Sequence, residues 1–188
     1  MIEFSVERTA IEGLLVSTMK QVGDDRGIVR EMFRRSAFEQ AGIELAPFAQ
    51  VNLTESRRGA LRGLHAEAIT KLTAVAWGEA VGGYADLRPD SPTFGAVERV
   101  ELRPGMQVLV PAGVANGFQA LVDGTQYVYC FDREWRPGME GRACSPIDAG
   151  IAWPIEIDPD DTARLSHKDR AAPPLAELLA GSMDEASS

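Results

Sequence analysis

Leu61-Arg62-Gly63-Leu64-His65 places one of only two histidines in an apolar, strand-like run, with Lys71 close behind. A neutral imidazole can take a proton near pH 7, and a nearby ammonium can stabilise the anion left when that proton comes off carbon. The pair points to proton transfer. A second candidate lies in residues 126–132, where Tyr127, Tyr129 and Phe131 share one strand face and Gln126, Val128 and Cys130 the other. An aromatic face of this kind packs in a core or lines a pocket, and the strand alone leaves both open.

The elements that must position these groups are mostly strands. Short apolar and β-branched stretches recur between turn residues, the pattern of an all-β sandwich or barrel. Besides the run around His65, strands are expected at residues 12–19, 27–33, 48–54, 71–77, 97–102, 107–110 and 126–132. Gly23-Asp24-Asp25, Arg88-Pro89-Asp90-Ser91-Pro92, Arg103-Pro104-Gly105 and Asp123-Gly124 supply turn chemistry between them. Helical periodicity occurs at residues 35–42 and at 174–180, where Leu175, Leu178 and Leu179 fall on one face. A single domain over residues 1–181 is expected, followed by a flexible acidic tail, 182–188.

The chain has 188 residues, 45% of them hydrophobic, enough to bury a core within one domain. With 19 basic and 28 acidic residues the net charge is −9, which opposes extended contact with a phosphate backbone and excludes nucleic acid as a partner. No apolar run suits a membrane span, and Met1-Ile2-Glu3-Phe4 lacks the regions of a signal peptide. A cytoplasmic protein with Cys130 and Cys144 reduced is expected.

Several blocks in register carry a further signal. Gly23-Asp24-Asp25-Arg26-Gly27, Gln50-Val51-Asn52-Leu53-Thr54-Glu55-Ser56 and Gly59-Ala60-Leu61-Arg62-Gly63-Leu64-His65 are followed by Asp86-Leu87-Arg88 with Ser91-Pro92-Thr93-Phe94-Gly95. Then come Val110-Pro111-Ala112-Gly113, Asn116-Gly117-Phe118 and Ser166-His167-Lys168-Asp169. In order and spacing these blocks resemble the dTDP-4-dehydrorhamnose 3,5-epimerase family over roughly residues 10–175.

The resemblance implies a cupin-type jelly-roll β-sandwich with short peripheral helices, usually paired as a homodimer. It also implies removal and return of a proton on sugar carbons beside a 4-keto group, with a nucleotide sugar as the small-molecule partner and no cofactor. Carried over by position, His65 is the general base and Asp169 the carboxylate that orients it. Lys71 stands near the keto oxygen, and Tyr129 returns a proton from the opposite face. Gln50, Asn52, Arg62, Asn116 and Trp135 match positions that hold the sugar nucleotide, and Arg26 and Glu31 match positions near its nucleotide end. Many cupins hold a metal with several histidines and a carboxylate, a set that His65 and His167 alone do not supply, so no metal is expected.

Four departures from the family pattern bear on substrate. The segment Ala66-Glu67-Ala68-Ile69-Thr70 between His65 and Lys71 is short and lacks the usual aromatic and glutamine. Asn116 replaces a second histidine, which removes an acid–base group there. Ile28-Val29 replaces an aromatic pair near the nucleobase, and Trp135 replaces a tyrosine. These changes imply an altered sugar, an altered nucleotide, or inversion at one carbon instead of two. A 3,4-ketoisomerase using the same enolate and a silent sugar-nucleotide-binding cupin are the alternatives.

Overall fold

Strand β7 (Lys71–Trp77) shows how the residue pattern becomes a layer. Lys71, Thr73 and Val75 alternate with Leu72 and Ala74, and all five are buried, so both faces of this strand must be covered. The computed structural model, which describes residues 1–185, supplies both covers.

β7 lies within a six-stranded sheet ordered β1 (Ser5–Arg8), β2 (Leu15–Thr18), β10 (Met106–Val110), β7, β12 (Thr125–Phe131) and β5 (Gln50–Ser56). Facing it is a five-stranded sheet ordered β13 (Gly141–Ala143), β6 (Leu61–Glu67), β11 (Val114–Ala120), β8 (Ala80–Asp86) and β9 (Val97–Leu102). A separate hairpin pairs β3 (Gln21–Asp24) with β4 (Gly27–Arg30). From β5 to β8 and again from β10 to β13, successive strands alternate between the two sheets, and neighbours pair antiparallel. This is a cupin-type jelly roll.

Between the sheets, Val75, Val108, Val110 and Tyr127 pack against Tyr84, Val100, Leu102 and Phe118. The Phe118 and Tyr127 rings stack at 4.0 Å across the sandwich, a pairing worth about 0.5–1.5 kcal/mol beyond the area it buries. Outside the larger sheet, Phe38 of α1 (Arg35–Gln40) covers Leu72 and Leu109, helped by Phe4, Phe33 and Phe48. Outside the smaller one, Ala149, Ile151 and Leu175 of α3 (Leu175–Glu185) cover Leu64, Ala66, Ala85 and Ala115.

The observed strands depart from the expected ones where burial erases alternation. β8 and β11 lie outside the strand ranges expected from the residues, because both are buried along their whole length and rich in small side chains. A Cβ on Gly83 would meet Ile151 and Trp153 at 2.6 Å, so the glycine is required by the layer packed over it. The stretch 12–19 contributes only Leu15–Thr18 and the stretch 27–33 only Gly27–Arg30. α3 runs past the expected 174–180 to Glu185, and of the expected tail Ala186 to Ser188 lie outside the described residues.

Candidate active site

One departure from regular pairing aims the site. β6 and β11 shift register between Asn116 and Phe118, so that Asn116 lies opposite His65 while Phe118 lies opposite Arg62. Such an irregularity redirects side chains on both strands. Gly63 sits there at φ 112°, and a Cβ would meet Gly117 Cα at 2.6 Å and the Asn116 carbonyl at 2.7 Å. The two glycines let the backbones approach closely enough for His65 and Asn116 to face one cleft.

That cleft, about 210 Å³, opens between the sheets and is lined by Asn52, Arg62, His65, Glu67, Lys71, Asn116, Tyr129, Phe131 and Trp135. A second hollow of about 430 Å³ shares Arg62, His65 and Tyr129 with it and extends past Arg164 and Lys168 to Asp169. Three cationic side chains therefore border the outer hollow, whereas His65, Lys71 and Tyr129 meet in the inner cleft.

Asp169 reaches His65 through two local devices. Leu61 N–H donates to the Arg164 carbonyl at 2.8 Å, pinning the chain ahead of α2 (His167–Arg170) alongside β6. Ser166 then caps α2, its hydroxyl accepting from Asp169 N–H at 3.1 Å. The result is a 2.6 Å contact between His65 Nε2 and Asp169 Oδ1. Burial would push the Asp169 carboxyl up, but hydrogen bonding and charge from His65, with Ser166 and the Gly63 amide, hold it below the usual carboxylate range. The other imidazole nitrogen is left for a substrate, and the side chain is 32% exposed.

Opposite stands Tyr129, on the inner face of β12 between Tyr127 and Phe131. Burial, with Tyr127 beside it, raises its phenol well above the usual value although Arg62 acts the other way. The phenol stays protonated and able to donate. Lys71, at the start of β7, is buried with its ammonium donating to Glu67, to Asn116 Oδ1 at 2.6 Å and to the His65 carbonyl at 3.4 Å.

The remaining candidates fall into two groups. Asn52 and Arg62 line the cleft, with Arg62 Nε donating to Ser56 Oγ at 3.0 Å. Gln50 supports the rim: its amide donates to Asn52 Oδ1 at 3.1 Å and its oxygen accepts from the backbone N–H of Trp135 at 2.8 Å, which places the half-exposed indole at the mouth. Arg26 and Glu31 are elsewhere. Arg26 sits exposed at the tip of the β3–β4 hairpin, paired with Asp24, and Glu31 is paired with Arg34 in a groove beside α1. Glu67 was not singled out from the residues, although its place two positions after His65 on a strand gives both the same face. Ser166, three residues before Asp169, was likewise legible as a helix cap. Among the described residues no three His, Cys, Asp or Glu side chains converge as a metal would need.

A histidine–carboxylate pair on one side of a cleft, a protonated phenol on the other and an ammonium between the sheets define a class of site. It can take a proton from a carbon acid, hold the resulting oxyanion and return a proton from elsewhere. The family model for dTDP-4-dehydrorhamnose 3,5-epimerase matches residues 8–177, and the chain belongs to that family and so to the isomerase class of enzymes. It is 35% identical to the dTDP-4-dehydrorhamnose 3,5-epimerase of Salmonella typhimurium over 181 residues, 93% of this chain and 97% of that one. It is 37% identical to a dTDP-4-dehydro-6-deoxyglucose 3-epimerase of Streptomyces bikiniensis over 161 residues, 81% of this chain and 80% of that one. A crystal structure of the 3,5-epimerase from Bacillus anthracis with TDP and pyrophosphate bound is similar at a TM-score of 0.83 and 31% identity, covering 92% of this chain and 99% of the other.

Proposed function

We propose that the protein inverts carbon 3, carbon 5 or both in a nucleotide-linked 4-keto-6-deoxyhexose, as a step in making a deoxysugar. The observation that carries this reading is the His65–Asp169 contact of 2.6 Å in a cleft that Tyr129 and Lys71 also line. His65 takes the proton from the carbon beside the ketone, and the C–H electron pair moves into the enolate. Lys71 stabilises the charge on the keto oxygen, while Asp169 stabilises the imidazolium. Tyr129 then gives its phenolic proton to the other face of the carbon, which completes inversion, and exchange with solvent reloads both groups.

Arg62, Arg164 and Lys168 supply cationic charge where a diphosphate would lie, and Arg62 can bind two oxygens at once. Arg26 and Glu31 do not line this cleft, so a role at the nucleotide end requires that a second copy supply its hairpin and the Glu31 that follows it. Exposed Val51, Leu53 and Trp77 on strands of the larger sheet also favour a homodimer. No described helix is long and apolar enough to cross a membrane, and the free thiols of Cys130 and Cys144 suit the cytoplasm.

The test is incubation with dTDP-4-keto-6-deoxyglucose and other 4-keto nucleotide sugars in deuterium oxide, with the ring protons followed by NMR. Deuterium at carbons 3 and 5 identifies a two-carbon epimerase, and deuterium at one carbon a mono-epimerase. A folded protein that exchanges no ring proton in any of them overturns the proposal. For the dimer, mixing Arg26→Ala with His65→Ala chains should restore part of the activity if the hairpin serves its partner's cleft.

A further inference from the structure

Lys71 has three N–H directions, and the protein occupies all of them: the Glu67 carboxylate, Asn116 Oδ1 at 2.6 Å and the His65 carbonyl at 3.4 Å. The last contact is the longest, so it is the one a substrate ketone can most readily replace. Glu67 is also a departure from the glutamine the family pattern has there, and it falls in the shortened segment between His65 and Lys71. It lines the cleft with His65 and is itself mostly shielded from water, at 19% exposure.

Assuming the epimerase reading of this cleft, we propose that Glu67 is a positioning residue, which keeps Lys71 protonated in its buried position and turns one N–H toward the keto oxygen. An ammonium that is only 5% exposed has lost most of its hydration, and a neutral amine would leave the developing enolate without a charge to meet it. Burial pushes Lys71 below the ordinary lysine value, and Glu67 acts in the opposite direction.

No other carboxylate forms an ion pair with Lys71 among the described residues. On β6 the neighbouring ionisable groups are Arg62 and His65, and on β12 Tyr129 lies in the same cleft with the Phe131 ring 6.0 Å from Nζ. Asp169 is held by His65, and Asp132, beyond β12, accepts from the Thr70 backbone. β11 contributes the neutral Asn116 and β5 the neutral Asn52.

The test uses the full chain, whose lysines are Lys20, Lys71 and Lys168 only, so each can be followed by NMR of lysine labelled at its terminal carbon. Glu67→Gln should move the Lys71 titration down by about one pH unit or more, a tenfold loss of proton affinity, while Lys20 and Lys168 stay put. The alkaline limb of ring-proton exchange should move by the same interval, and Glu67→Asp should recover part of both. An unchanged Lys71 titration in folded Glu67→Gln overturns the proposal. So does a Lys71 already neutral at pH 7 in the unaltered protein, a measurement that needs no variant. If the Lys71 titration shifts while the unaltered protein exchanges no ring proton, the coupling stands and the epimerase reading falls.

Discussion

Asp169→Asn removes the carboxylate's charge and leaves the volume of the side chain almost unchanged. An asparagine presents an NH₂ or a neutral oxygen where the carboxylate met His65 Nε2 at 2.6 Å, so the imidazolium formed during proton abstraction loses its counter-charge. For charge centres about 4 Å apart, an effective dielectric constant of ~20 gives ~4 kcal/mol. His65 is 32% exposed, so solvent screens part of this, and about 2 kcal/mol is a lower bound; Asp169, at 7%, is too buried for the pair to behave as a surface contact. These limits correspond to a rate lower by roughly 30-fold to 10³-fold. In hydrolases that orient a histidine in the same way, the same exchange costs about 10⁴-fold, above this range because the wrong tautomer adds to the lost charge. The assay is the initial rate of deuterium entry into the sugar ring at neutral pH, with circular dichroism to establish that the variant is folded. A folded Asp169→Asn whose rate lies within a small factor of the unaltered protein would refute the role given to this contact.

Tyr129→Phe should keep deuterium exchange on the His65 face while net inversion falls by about 10²-fold or more, read by comparing wash-in with product configuration. Gly63→Ala should cost at least about 2 kcal/mol, because the position has φ 112° and the new methyl meets the backbone of Asn116 and Gly117; for a chain of this size that lowers Tm by about 4–8 °C in calorimetry. Asp86 is buried, which pushes its carboxyl up, but hydrogen bonds from Arg88, Ser91 and Thr93 hold it at about 2 against an ordinary 3.8. Because the folded value is the lower one, the stabilisation is present above the ordinary carboxyl range and is lost as pH falls toward about 2. It amounts to roughly 2 kcal/mol, so Asp86→Asn should lose at least that at neutral pH and flatten the acid limb of a denaturant titration.

What was legible in the residues followed from local rules. Tyr127, Tyr129 and Phe131 do share an inner face, since strand alternation needs no knowledge of the partner strands. β8 and β11 were hidden for the opposite reason: they are covered on both faces, and their Gly, Ala and Val runs carry no period. The proximity of His65 and Asp169 came from resemblance alone, because the contact depends on the Leu61–Arg164 backbone bond and the Ser166 cap, each joining elements whose separation is set by the whole sandwich. Resemblance could carry over matched positions only. Glu67 fell in the segment where the pattern breaks, and its link to Lys71 depends on where the turn from β6 to β7 closes. The same reasoning explains Arg26 and Glu31: matching assigned them to a nucleotide, but the hairpin that carries Arg26 and the residue that follows it, Glu31, lie outside the cleft of their own chain. On the proposed reading a site assembled from one chain lacks that end, and the mixed-chain experiment bears on substrate specificity as much as on oligomeric state. If Arg26 acts in trans, the apolar Ile28 and Val29 beside it meet the base bound by the partner, where they offer contact area without an aromatic face to stack on.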